Sequence, residues 1–419
     1  MQWRVRRDWR ALLAIVPLAA VVTLALSAPT GVGAATPEST GPTLYTWGGN
    51  PGNFSFSQIP SPTTLPGGVA PSSVESGSAS AGGDAFVIGA NGDIYAWGSN
   101  YCGELGNGKK DTVYQPVAIP LPGDETAAQV SGGYCFTMAL GTNGHIYTWG
   151  KNDKGELGDG TTREHLTPQE ISLPGDITAT SIAAGDLGTF GMAMGSNGRV
   201  YAWGEDGLGN PGSKQNTNTP RAVDLPEGVV PTAIAGGGTF ALVLDSAGNV
   251  YSWGYNHYGQ LGRGTLSDNA EPPGRLDLGS GRTAKSISAG FSFGMALTTD
   301  GRVLTWGSNL QAELGHRDAS DRGTPHASPA FLDAGVEPVT AILASFNSAF
   351  VMSHDGTLWG WGSNYNDQVG SGVKGPNDCY TGKCAEVPMQ TKLPAGSTIT
   401  SLGRNAGAAA VIVSGGTSG

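Results

Sequence analysis

The dipeptide Trp-Gly recurs at seven nearly evenly spaced positions in this chain, each time at the end of a hairpin-like run: Trp47, Trp97, Trp149, Trp203, Trp253, Trp306 and Trp361, the last directly preceded by an extra copy, Trp359-Gly360. The separations are 50, 52, 54, 50, 53 and 55 residues. Self-similarity at such a period means a repeat architecture, in which each unit buries its apolar face only against its neighbours. That constraint overrides the two or three domains that 419 residues would otherwise suggest.

Within each repeat the pattern reads as strands. Residues 235–244 are a glycine-led apolar stretch, Ala247-Gly248 is a turn, and Val250-Tyr251-Ser252-Trp253 alternates between two faces. Equivalent turns stand at Asn91-Gly92, Asn143-Gly144, Asn197-Gly198, Asp300-Gly301 and Asp355-Gly356. Asn-Gly and Asp-Gly here predict type I′ hairpins. Proline-flanked segments such as Gln115–Pro120, Pro168–Leu173 and Pro220–Leu225 read as outer strands, since proline belongs on a sheet edge. Four strands in about 50 residues make a propeller blade.

Seven Trp-Gly strands stand against only six internal hairpins. Leu44–Gly48 has no preceding partner strand, and Ile399–Val413 has no Trp-Gly strand after it. The two termini therefore share one blade. The expected fold is an all-β, seven-bladed β-propeller of four-stranded blades over 43–413, closed by its N- and C-terminal strands. Closure removes an exposed sheet edge. Each tryptophan then reads as a wedge between blades rather than a stacking platform for a ligand.

The pattern Val-Tyr-x-Trp-Gly-x-Asn-x-x-Gly-Gln-Leu-Gly resembles the repeat of the regulator of chromosome condensation family. Its fullest copies are Val250–Gly262 and Ile146–Gly158, the second ending Gly-Glu-Leu-Gly. The resemblance spans about residues 43–413 and implies a seven-bladed propeller. It also raises guanine-nucleotide exchange as an activity by analogy. The chain departs from the family pattern in places. Phe136, Phe190, Phe240 and Phe293 stand where the family often has histidine, with Asp84 and Ser348 in two other repeats. The loops after Trp47 and Trp203 lack the Gly-Gln-Leu-Gly element. A partial likeness to secreted propellers that inhibit beta-lactamases raises inhibition as a further alternative.

Residues 1–35 read as a secretory signal: Arg4, Arg6, Arg7 and Arg10, an apolar run from Ala11 to Leu26, then small residues ending at Ala34-Ala35. The alternative is an uncleaved anchor helix. Residues 36–42 read as a linker and 414–419 as a tail. Removing the signal leaves 19 basic and 33 acidic residues, a net charge near −14. No Lys/Arg cluster remains, which argues against a nucleic-acid partner. The expected product is a secreted monomer, of a bacterial type, with no membrane span after cleavage. Four cysteines in such a compartment predict disulfides. Three pairings are possible. The short loop favours Cys379 with Cys384, leaving Cys102 with Cys135 to join adjacent repeats.

No catalytic set stands out, and neither a cofactor nor a metal is implied. The histidines lack ligand spacing, and no nucleophile elbow or P-loop occurs. Glu104, Glu156 and Glu313 occupy one equivalent position, with Gln260 and Gln368 in other repeats, so they read as structural before catalytic. The loops after each Trp-Gly are the candidate binding surface for a protein or cell-surface partner, with Tyr101, Tyr255, His257, Tyr258 and Tyr365 as its aromatic contacts. Their asparagines read equally as turn-forming residues that pin each loop to its own blade.

Overall fold

The structure, a computed structural model, describes residues 41–49, 56–75, 77, 83–205, 215–279, 281–315, 321–327, 338–375, 377–379, 382–405 and 408–415. The signal segment 1–35, nearly all of the linker and most of the tail lie outside the described residues, as do most of the loops after Trp47 and Trp203.

The described strands form seven antiparallel sheets. Blade 2 shows the plan. Ala127–Gly132 is innermost, followed outward by Phe136–Gly141, Ile146–Gly150 and His165–Ile171. Blades 1 and 3 to 6 repeat this over residues 71–119, 179–222, 231–275, 284–327 and 339–390. Blade 7 is composite. Thr43–Gly49 pairs with Ala408–Ser414, bringing Thr43 opposite Val413 and Thr46 opposite Ala410. Phe56–Thr63 flanks it on the outside and Thr398–Asn405 on the inside. The ring is closed by a blade that takes two strands from the beginning of the chain and two from its end.

Each of the seven hydrophobic clusters lies between neighbouring blades. One cluster joins Phe86, Ile88 and Leu105 of blade 1 to Tyr147 and Trp149 of blade 2. The ring-closing pair of clusters does the same, with Trp47 of blade 7 against Phe350 and Leu358 of blade 6, and Trp97 of blade 1 against Leu44 and Ile412 of blade 7. Phe136, Phe190, Phe240 and Phe293 are fully buried in this inter-blade core, so phenylalanine fills the volume that the repeat assigns to that position.

Three local features depart from expectation. The hairpin turns are not type I′. In blade 2, Gly144 N–H donates to Gly141 O at 2.9 Å and Gly141 N–H to His145 O at 2.9 Å, and Gly144 has φ of 82°. Asn143 is not among the positive-φ residues, and neither are its equivalents. This is a three-residue loop: a type I turn followed by a left-handed glycine. Its preference over type I′ follows from the asparagine side chain. Asn143 Oδ1 accepts the His145 N–H at 2.9 Å while Nδ2 donates to the Tyr147 hydroxyl at 3.1 Å. Secondly, the outer strands begin earlier than the prolines suggested, at Val113, His165 and Thr217. Thirdly, blade 6 carries a fifth strand. Asn377–Cys379 pairs with Gly382–Gln390 as a short ribbon at its outer edge.

Candidate functional site

Antiparallel blades put two sets of connections on each face of the disc. The loops after Trp-Gly share one face with the loops between the first and second strands; the hairpin turns occupy the other. The Trp-Gly loops owe their shape to buried polar side chains. In blade 2, Asn152 Oδ1 accepts the Leu157 N–H at 3.0 Å and Nδ2 donates to Arg163 O at 2.9 Å. Asn100, Asn256, Asn309 and Asn364 accept the amide five residues on in the same way, at 2.9 to 3.0 Å. All five are buried. The asparagines of the candidate surface are therefore internal struts, and they cannot at the same time reach a partner.

The Glu/Gln position is also internal. Glu104, Glu156 and Glu313 accept the N–H two residues before them, at 2.8, 2.7 and 2.7 Å. Gln260 and Gln368 do the same at 2.9 Å. The backbone carbonyl of this residue accepts the indole N–H of the next blade's tryptophan. Trp149 donates to Glu104 O, Trp203 to Glu156 O, Trp306 to Gln260 O, Trp361 to Glu313 O and Trp47 to Gln368 O, at 2.7 to 2.9 Å. The loops preceding Trp97 and Trp253 are those that lack the Gly-Gln-Leu-Gly element. The closing glycine of the motif lies against the same indole. A Cβ on Gly158 would stand 2.8 Å from Trp203 Nε1. The motif is thus a socket for the neighbouring tryptophan. Burial raises the Glu313 carboxyl to about 8 and Glu156 to about 7, so both favour the neutral form that glutamine mimics.

What remains for a partner includes exposed tyrosines, with the aliphatic Leu266 and Val373 also exposed on the same loops. Tyr101 and Tyr365 are 58% and 57% accessible. His257 is exposed, while Tyr255 and Tyr258 are half-buried. The His257 and Tyr258 rings meet edge-on at 4.8 Å, and His257 Nδ1 lies 2.7 Å from Asp268. Tyr101, the blade 4 trio and Tyr365 belong to blades 1, 4 and 6, so the fold does not gather them into one patch. It does make a different cluster. Cys102 is bonded to Cys135 with Cα atoms 5.4 Å apart, and Cys379 to Cys384. The first bridge joins blade 1 to blade 2, and each of its half-cystines is immediately preceded by a tyrosine, Tyr101 and Tyr134. Tyr134 is 42% accessible, and the Lys151 ammonium stands 5.4 Å from its ring centre. Sequence reasoning missed Tyr134, although its place before Cys135 was a usable signal. Tyr365 has a similar companion, with Lys374 at 6.0 Å from its ring. Among the described residues no group of three or more His, Cys, Asp or Glu gathers as metal ligands, and no helix is long and apolar enough to cross a membrane.

A seven-bladed ring whose repeats carry sockets for the adjacent tryptophan defines a class of repeat propeller. The chain belongs to the regulator of chromosome condensation (RCC1) repeat family, whose repeat model matches residues 91–140, 143–192, 197–244 and 247–297. A second model of the same repeat matches 127–156, 232–260 and 284–311. Over 282 residues the chain is 28% identical to the ultraviolet-B receptor UVR8 of Arabidopsis thaliana, covering 67% of this chain and 63% of that protein. Over 296 residues it is 28% identical to the human E3 ubiquitin-protein ligase HERC2, covering 69% of this chain and 6% of that protein. The matches thus span less than two thirds of these relatives. Among solved structures, human WBSCR16 superposes with a TM-score of 0.75 at 18% identity, over 90% of this chain and 99% of that one. Yeast RCC1 (Prp20) bound to Kap60 also gives 0.75, at 19% identity, over 95% and 97%. These two likenesses concern the fold.

Proposed function

We propose that this chain is a non-catalytic propeller scaffold that docks a protein partner on the face formed by its Trp-Gly loops. The observation that carries this reading is the division of labour on that face. Asparagine, glutamate and glutamine are consumed in the inter-blade sockets, whereas Tyr101, Tyr134 and Tyr365 stand exposed on rigidly held backbone. Rigid aromatic area bordered by lysine is the surface chemistry that protein partners use. Related propellers support a binding role, since Prp20 has been solved with Kap60 bound and studied for binding to Gsp1p and histones.

We further propose that the chain is exported and works in an oxidising compartment. Its two disulfides and the signal-like residues 1–35 support this. Thiol trapping of the protein as isolated from cells, without reductant, tests it; four free thiols would count against export.

Docking is tested by immobilising the chain and comparing capture of proteins from its own extracellular medium by wild type and by a Tyr101→Ala, Tyr134→Ala, Tyr365→Ala variant. The reading expects a discrete partner that the variant loses while its melting curve is unchanged. Retention of the same partner by the variant would move the surface elsewhere. A nucleotide-release assay on a small GTPase and an inhibition assay on a beta-lactamase panel distinguish exchange and inhibition from simple docking.

A further inference from the structure

The innermost strands of the seven blades enclose a central channel of about 690 Å³. We propose that this channel is a binding site for a small organic ammonium ion, with Glu75 as its counter-charge. The volume falls within the range of ligand pockets, roughly 300 to 1,000 Å³. One end is obstructed by loops of the Trp-Gly face. Tyr134 N–H donates to Gly188 O, Gly238 N–H to Phe291 O, and Phe291 N–H to Phe346 O, at 2.8 to 2.9 Å. Asp186 of blade 3 reaches across the disc to accept the Phe346 N–H of blade 6. The cavity extends to the opposite face, where Ser196 and Gly198 of the blade 3 hairpin turn line it.

The lining selects the ligand by what it lacks and what it offers. Thr180, Thr232, Thr340 and Thr400 take one equivalent position on the inner strands of four blades, a position that blade 5 fills with Lys285. Each hydroxyl donates its proton to a backbone carbonyl of its own blade, to Met194, Leu244, Met352 and Ile412 respectively, at 3.1 to 3.3 Å. Their oxygens are left with accepting capacity only. Among the described lining residues Glu75 is the sole ionisable side chain. Its carboxyl accepts the Ser73 hydroxyl at 2.6 Å and the Val130 N–H at 2.8 Å, which hold it in place without supplying a positive charge. Burial pushes the group up to about 7, so a cation bound beside it would favour its charged form. Apolar wall from Val130, Ile287, Ile342 and Leu402 suits a short hydrocarbon chain. Threonine acceptors on four blades, one carboxylate and an apolar wall together favour a cation with an alkyl tail, and disfavour an anion.

Calorimetric titration of the full chain with hexylammonium chloride, 1-hexanol and sodium hexanoate tests this. Saturable hexylammonium binding at least about ten-fold tighter than either isostere is expected. Glu75→Gln keeps an acceptor for the Val130 amide and should weaken hexylammonium at least about ten-fold. Ser286→Phe leaves Glu75 intact and fills the channel from blade 5, so it should abolish binding even where Glu75→Gln folds poorly. Equal binding of hexanol and hexylammonium, no saturable heat with any probe, or hexylammonium binding unchanged in Ser286→Phe would each overturn the assignment.

Discussion

Replacing Glu313 by glutamine should stabilise this protein at alkaline pH and leave it nearly unchanged in mild acid. Glu313 is 2% accessible, its Oε2 accepts the Gln311 N–H at 2.7 Å, and the charge of Asp321 adds to the effect of burial. Burial, with the charge of Asp321, outweighs the opposing hydrogen bond and raises its carboxyl from 4.5 to about 8. A raised carboxyl pKa means that the folded state holds the proton more tightly than the unfolded chain. The contribution is therefore complete below pH 4.5 and is lost as pH rises through 8. At about 1.4 kcal/mol per unit, the full loss approaches about 5 kcal/mol. Glutamine reproduces the neutral acid without a titration. In blade 4, Gln260 already does so, accepting the Tyr258 N–H at 2.9 Å and donating to Thr239 Oγ1 at 3.1 Å. Urea denaturation of wild type and Glu313→Gln at pH 5, 7 and 9 gives the difference directly, and cancels the shared contributions of Glu75 and Glu156. The two proteins should differ by less than about 1 kcal/mol at pH 5, and the variant should lead by about 3 to 5 kcal/mol at pH 9. A difference that does not vary with pH, or a variant less stable at pH 9, would refute the reasoning.

Two further outcomes test the socket and the staples. Asn152→Ala removes the acceptor for Leu157 N–H and the donor to Arg163 O in a buried loop, and should cost about 2 to 4 kcal/mol, measured by urea denaturation. A paired change to serine at Cys102 and Cys135, which close a separation of 33 residues, should cost about 3 to 4 kcal/mol. The same change at Cys379 and Cys384, separated by 5, should cost about 2 kcal/mol, so the order of the two melting losses is the check.

The fold was legible because its determinants are periodic. A tryptophan recurs at every repeat, five of the seven docking in a neighbouring blade's socket, and the unmatched halves at Leu44 and Val413 point to one another. Turn geometry was less legible. Asn143-Gly144 satisfies two hairpin types by composition, and the choice rests on where Oδ1 and Nδ2 of Asn143 find partners, including the Tyr147 hydroxyl. The binding surface was legible only in part. Tyr101 and Tyr365 announce themselves as aromatics in polar loops, but Tyr134 joins Tyr101 through a disulfide between residues 33 apart in sequence. Glu75 carried no signal, because its environment is the channel, which exists only once all seven inner strands are assembled.

The central claim is that a partner meets the Trp-Gly face. Site-specific photo-crosslinking measures this most directly, with a benzophenone side chain placed singly at Tyr101, Tyr134 and Tyr365, and at Asn197 and Asp355 on the opposite face. In extract and medium of the cells that make the protein, the three tyrosine positions should crosslink the same partner and the two hairpin-turn positions should not. Crosslinks to a common partner from Asn197 and Asp355, with none from the tyrosine positions, would contradict the account.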